Sequence, residues 1–229
     1  MTFIALLEEA TQAERTFLID SPTIQDALRG EITRAQYVAF LREAYFHVRE
    51  TVPLLMACGS RLGHDTEWLR KATAQYIEEE YGHEQWILDD IAECGADPAI
   101  ASRGKPSLAT ELMVAYAHDT VQRRNPAAFF GMVYVLEGTS VALATAAANA
   151  LGRALRLPNS AFRYLLSHGT IDATHIAFLE SLLERFADPA DRDDIVHAAR
   201  RFYWLYAQIF RSLPDRQAAE GLEDLRCVA

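Results

Sequence analysis

The stretch "FFGMVYVLEGTSVALATAAA", residues 129 to 148, limits what this chain can fold into more than any other segment does. Apolar side chains cover every face of a helix built from it, so it belongs at the centre of a core with other helices packed around it. A single acid, Glu137, stands in the middle. A lone carboxylate in such surroundings costs roughly several kcal/mol, so a metal ion or a basic partner must compensate it. Arg123 and Arg124, on the helix expected just before, are the basic alternative.

The remaining sequence reads as all-α. Helical periodicity dominates, strand alternation is absent, and turn signals fall too far apart for a sheet protein. Helices are expected near 3–18, 22–29, 33–58, 65–94, 107–123, 126–153, 159–186 and 191–212, with Pro53 kinking the third. The 229 residues, 50% hydrophobic and 24% charged, suffice to bury one sizeable core, and no linker or repeat divides residues 1–229 into more than one domain. A net charge of −10 without a basic patch argues against nucleic acid as a partner. Cys58, Cys94 and Cys227 are odd in number and widely spaced, which gives neither a disulfide framework nor a zinc cage and fits a reducing cytoplasm. The sequence shows no basic and apolar leader and no unbroken apolar run of about 18 residues, so a cytoplasmic protein that does not enter a membrane is expected.

Partners for Glu137 occur on two other helices. In "LLSHGTIDATHIAFLESLL", His168, Asp172 and His175 stand at i, i+4 and i+7, within roughly 60° of one another around a helix. Imidazole and carboxylate are ligands for first-row transition metals, and helices that project them inward build carboxylate-bridged metal sites. In "YIEEEYGHEQWILDDI", Glu79 or Glu80 shares a helix face with His83, a Glu-x-x-His type of pairing. Which of the two acids ligates is left open by the spacing. Glu43, His47 and Glu50 repeat the i, i+4, i+7 geometry on the early helix and are expected to line the substrate cavity or hydrogen-bond the ligands, as candidate catalytic residues. Tyr45, Phe46, Phe129, Phe130 and Tyr134 would wall that cavity.

Glu-Glu-x-Gly-His at 79–83, Leu-Glu-Gly at 136–138 and His-x3-Asp-x2-His at 168–175 follow one another in an order, and at intervals, that resemble the haem-oxygenase-like di-iron oxidases. "REAYFHVRETVP" and "LDDIAECGADP" extend the similarity over most of the chain. The resemblance implies a haem-oxygenase-like (TenA/PqqC-like) seven-helix bundle that holds two irons, with manganese as the other candidate metal. One iron would take Glu79 or Glu80, His83 and one of the later histidines, and the second would share Glu137, Asp172 and the remaining histidine. It further implies an iron-dependent oxidoreductase with O2 as co-substrate, acting on a small amine- or carboxylate-bearing molecule by N-oxygenation, C–C cleavage or decarboxylation. A homodimer is the assembly it suggests.

Departures from neighbouring branches narrow that chemistry. Where the similar thiaminase II enzymes carry a nucleophilic cysteine just after the Glu-Gly pair, this chain has Thr139. Where a p-aminobenzoate-forming relative sacrifices a lysine, it has Ala147, and Lys71 and Lys105 are its only lysines. No histidine precedes His47 to serve as the axial ligand of a haem oxygenase. Two further readings share the fold: a cofactorless oxidase similar to pyrroloquinoline-quinone synthase, and a non-catalytic adaptor whose buried acids are satisfied by salt bridges.

Overall fold

The computed structural model describes the backbone of residues 1–216 and 218–219, and the side chains of these residues except 168–175. Among the described residues there is no strand. The helices are α1 (Phe3–Ala10), α2 (Gln12–Ile19), α3 (Pro22–Arg29), α4 (Arg34–Val48), α5 (Thr51–Arg61), α6 (Glu67–Glu80), α7 (His83–Glu93), α8 (Pro98–Arg103), α9 (Leu108–Arg123), α10 (Phe130–Leu155), α11 (Arg163–Leu183) and α12 (Pro189–Ser212). The all-α expectation holds. Three expected helices are each broken in two, and the short α8 lies where a connection was expected.

Each break has a local cause. Pro53 has no N–H to offer the Arg49 carbonyl, so α4 ends at Val48 and α5 starts at Thr51, several residues ahead of the proline itself. Thr11 donates its hydroxyl to the Leu7 carbonyl at 2.7 Å at the junction of α1 and α2. Between α6 and α7 stands Gly82 at φ +92°, a left-handed conformation that a side chain would strain. That turn redirects the chain between Glu80 and His83, so the two residues do not share one continuous helix.

Helix α10 packs against α3, α11 and α12 and joins two buried apolar clusters. Its first half, with Phe130, Met132 and Val135, belongs to one cluster; its second half, with Ala144, Ala148 and Leu151, belongs to the other. Glu137 falls between them. The segment Pro126–Leu155 does reach the length and hydropathy of a membrane helix, against expectation, with a mean hydropathy of 1.5 in its most apolar window. Of that window 56% is buried inside the bundle, the position of a core helix.

Asp90 ties α7 to the start of α11. Its fully buried carboxylate accepts the backbone N–H groups of Arg163 and Tyr164, both at 2.9 Å, while Asp89 pairs with the Arg163 guanidinium at 3.2 Å. Burial pushes the Asp90 carboxyl up to about 7, although the two backbone donors and Arg163 pull the other way. A carboxyl raised in the folded state binds a proton there that the unfolded chain has already released, so stability falls as pH rises from about 4 to about 7 and is level above that. Asp90→Asn removes this dependence. Urea unfolding should show the variant gaining on the wild type by up to about 3 kcal/mol between pH 5 and pH 8. A difference between the two that is constant with pH would rule the account out.

Candidate metal centre

The last turn of α6 is the sequence Glu78-Glu79-Glu80, with no basic residue beside it. Acids at a helix C-terminus oppose the helix dipole by about 0.3–1 kcal/mol each, so this turn breaks a local rule that a cation would repair. The three acids diverge. Glu78 is exposed, and Glu79 accepts from the Gln75 amide at 2.9 Å. Glu80 turns inward, 13% exposed, and its Oε2 lies 3.0 Å from Nδ1 of His83, itself 6% exposed. Two adjacent ligands at about 2.1 Å from one metal ion, set at right angles, would be about 3 Å apart. Trp86 stacks on the His83 ring at 4.0 Å and fixes its plane.

Glu137 and Glu80 border one compartment, which they share with His47 and Tyr76. Val48, Leu55, Phe129 and Met132 supply apolar wall. Tyr76 is buried, and its phenol is held far above the usual range, first by burial, then by the charge of Glu137 and a hydrogen bond to it, and then by Glu79 and Glu80. Three carboxylates therefore act on one phenol. Tyr76 escaped the sequence reading, although Tyr76, Glu79 and Glu80 stand at i, i+3 and i+4 of one helix, which was signal enough to group them.

The basic alternative for Glu137 is not what the arginines do. Arg123 reaches Asp119 at 3.4 Å, Arg124 reaches Asp119 at 2.6 Å, and Arg123 is 81% exposed. On the early helix, only His47 of the expected trio lines the compartment; it is 2% exposed and meets Tyr206 edge to face at 5.8 Å. Glu43 instead caps α9, accepting from the Ser107 backbone N–H at 3.0 Å, the Ser107 hydroxyl at 2.9 Å and the Thr110 hydroxyl. Glu50 pairs with Arg49 at 3.2 Å and with His118 at 3.3 Å. The chain break after Val48 is what separates Glu50 from the face that His47 presents. Of the aromatics expected on the cavity wall, Phe129 is there, while Phe130 and Tyr134 pack into the core and Tyr45 and Phe46 lie under Arg49. Tyr76, Tyr164 and Tyr206 line it in their place.

His168, Asp172 and His175 lie outside the described side chains. Among the described residues no group of three or more His, Cys, Asp or Glu side chains stands close enough to hold a metal ion. Helix α11, which carries the trio, packs along α10 and touches α7, the two helices that carry Glu137 and His83. Glu80 beside His83 is a hard oxygen next to an imidazole, the donor chemistry that suits iron or manganese, and Glu137 borders the same compartment as Glu80. Neither described cysteine suits nucleophilic work, because burial pushes Cys58 and Cys94 up to about 12, and at position 139 the Thr139 hydroxyl donates to the Val135 carbonyl at 2.6 Å.

Comparison with known proteins gives a family and a fold. A family described as iron-containing redox enzyme matches residues 38–207. No curated protein matches the chain. Among solved structures, a domain with a heme oxygenase-like fold from Shewanella denitrificans superposes with a TM-score of 0.82 at 23% identity, covering 100% of this chain and 97% of its own. A CADD-like protein from Nostoc punctiforme gives 0.70 at 16% identity, over 95% and 98% of the two chains. Heme oxygenase-1 from the cyanobacterium Synechocystis, in complex with heme, gives 0.74 at 14% identity, over 100% of both.

Proposed function

The chain belongs to the iron-containing redox enzymes, and on that premise we propose that it is a non-haem di-iron oxidase that uses O2 to oxidise a small molecule carrying an amine or a carboxylate. The outcome would be N-oxygenation, C–C cleavage or decarboxylation. The observation that carries this reading is the convergence of Glu80, Glu137, His47 and Tyr76 on one compartment where α10 passes between two apolar clusters. Glu80, with Glu79 as the other candidate from its turn, His83 and Glu137 would hold the metal together with His168, Asp172 and His175. Held by these residues, ferrous iron would supply the reducing electrons for O2.

The chain's own residues set the conditions. Tyr76 keeps its proton across the working pH range, because burial and three carboxylates oppose its ionisation, so it serves as a fixed donor that orients Glu137. Trp86 and Glu80 hold the His83 ring in plane and rotation. The apolar wall around Phe129 and Met132 keeps bulk water from the reacting atoms. A cytoplasmic location and a homodimer complete the proposal.

Anaerobic reconstitution with ferrous iron followed by metal analysis tests the reading. About two irons per chain are expected, as in other carboxylate-bridged bundles, with His83→Ala losing at least one of them. A wild-type protein that binds none would remove the oxidase and leave the cofactorless enzyme or the adaptor.

A further inference from the structure

A small apolar cavity adjoins the compartment around Glu137, and we infer that it takes up O2 from solvent and passes it to that compartment. Delivery to a bound metal rests on the oxidase reading above; uptake of an apolar gas by the cavity does not.

Ser140, Tyr164 and Tyr206 border both spaces and form the threshold between them. Helix α10 runs along both, so that Ala144 in the cavity follows Glu137 in the compartment by about 10 Å at the helical rise of 1.5 Å per residue. Ala27 and Leu28 of α3 and Phe210 of α12, which also line the cavity, are only partly buried, so one side of it lies close to solvent. Ile24, Ile32, Ala144 and Leu151 are its buried aliphatic wall. Among the described residues no charged side chain lines it. Three of its hydroxyls give their protons to backbone carbonyls: Thr23 donates to Phe210 at 3.0 Å, Tyr37 to Ala161 at 3.0 Å and Thr139 to Val135 at 2.6 Å.

Size and lining together select the occupant. The cavity measures about 80 Å³, roughly half of an engineered apolar cavity of about 150 Å³ that stays dry and takes up benzene or xenon. An extended chain is too large for it, and a charged or hydrogen-bonding group would lose its water and find few partners. A water molecule needs two to four polar partners, and beyond the threshold these three hydroxyls offer it no proton. An apolar diatomic gas meets none of these costs and gains from leaving water as any apolar solute does. Ala144 and Ala147 keep the space open, because a longer side chain at either position would fill it. Glu80 and Glu137 lie on the other side of the threshold only, so the two reactants have separate places, a polar molecule among the acids and the gas along the alanines.

Dissolved O2 is its own probe, because it is paramagnetic. Metal-free protein with labelled alanine, isoleucine and leucine methyls is compared by NMR under O2 and under N2 at equal pressure. The methyls of Ala144, Ile24, Ile32 and Leu151 should relax at least about fivefold faster under O2 than those of Leu54, Leu69 and Ile195, which are as deeply buried and line neither space. Ala147→Leu, checked for a native circular dichroism spectrum and melt, should cut that excess at least about threefold. Should that variant misfold, Leu151→Ala, which widens the cavity, should raise the excess at Ala144 instead. Equal relaxation at both sets of methyls, an excess that follows neither variant, or ordered water detected beside Ala144 by a water-to-methyl Overhauser effect overturns the inference. In the iron-loaded protein, oxidation of the ferrous form on mixing with O2 should slow at least about threefold in Ala147→Leu at unchanged iron content, and an unchanged rate removes the delivery. Iron titration separates the two claims: excess relaxation in a protein that binds no iron keeps the gas cavity and removes the oxidase, and iron binding without excess relaxation does the reverse.

Discussion

Replacing Glu137 with glutamine should make the metal-free protein more stable and the iron-loaded protein inactive. The carboxylate is 8% exposed on the core helix, and Glu79, Glu80 and Glu137 all bear on the same buried phenol. Glutamine keeps the shape and removes the charge, so the desolvation cost of an ionised group disappears while Tyr76 can still donate to an amide oxygen. A gain of about 1–3 kcal/mol in the metal-free state follows, seen as a rise in Tm of about 2–4 °C for each kcal/mol in a chain of this size. Iron content should drop by half or more, and O2 uptake with substrate by at least about 100-fold, since even indirect partners of metal ligands are worth 10- to 100-fold. A variant that is less stable and binds iron fully would make Glu137 an ordinary structural acid.

What made Glu137 legible was contrast: one charge in a helix that is apolar on every side has few explanations. The same reasoning, applied to α7, would have found Asp90. His83, Ile87, Asp90 and Ile91 are its buried residues and form one stripe, so an acid in that stripe needed an account. Glu43 was different in kind. Its partners, Ser107 and Thr110, are more than 60 residues away in sequence, and a cap supplied across the fold leaves no mark on the local pattern. Helix α3 is legible end to end because Pro22 and left-handed Gly30 mark its two boundaries by their own chemistry. Gly82 carries no such mark. A glycine inside a helical pattern is tolerated as often as it breaks the helix, and only the turn from α6 into α7 demands a left-handed residue there.

Alanine at Gly131 and alanine at Gly138 should shift stability in opposite directions, although both lie in α10 and both gain the same helix propensity. A Cβ at Gly131 would stand 2.6 Å from the Ile195 carbonyl oxygen and 2.8 Å from the Ala199 backbone nitrogen. Backbone atoms cannot rotate aside, so α10 and α12 must move apart and loosen the contacts of Phe130, Ile195 and Phe202 between them. The cost of about 1–3 kcal/mol for such overpacking outweighs the gain of about 1 kcal/mol from replacing a helical glycine. At Gly138 a Cβ meets nothing within 4 Å among the described residues, and only the gain of about 0.5–1 kcal/mol is left. Urea midpoints at unchanged m should therefore fall for Gly131→Ala and rise for Gly138→Ala. Gly131 lies less than two turns before Glu137, so a displaced α10 also displaces the carboxylate, and Gly131→Ala should bind iron more weakly than its own loss of stability explains. Equal shifts in the two variants would mean that the close seat of α10 on α12 does not set the position of Glu137.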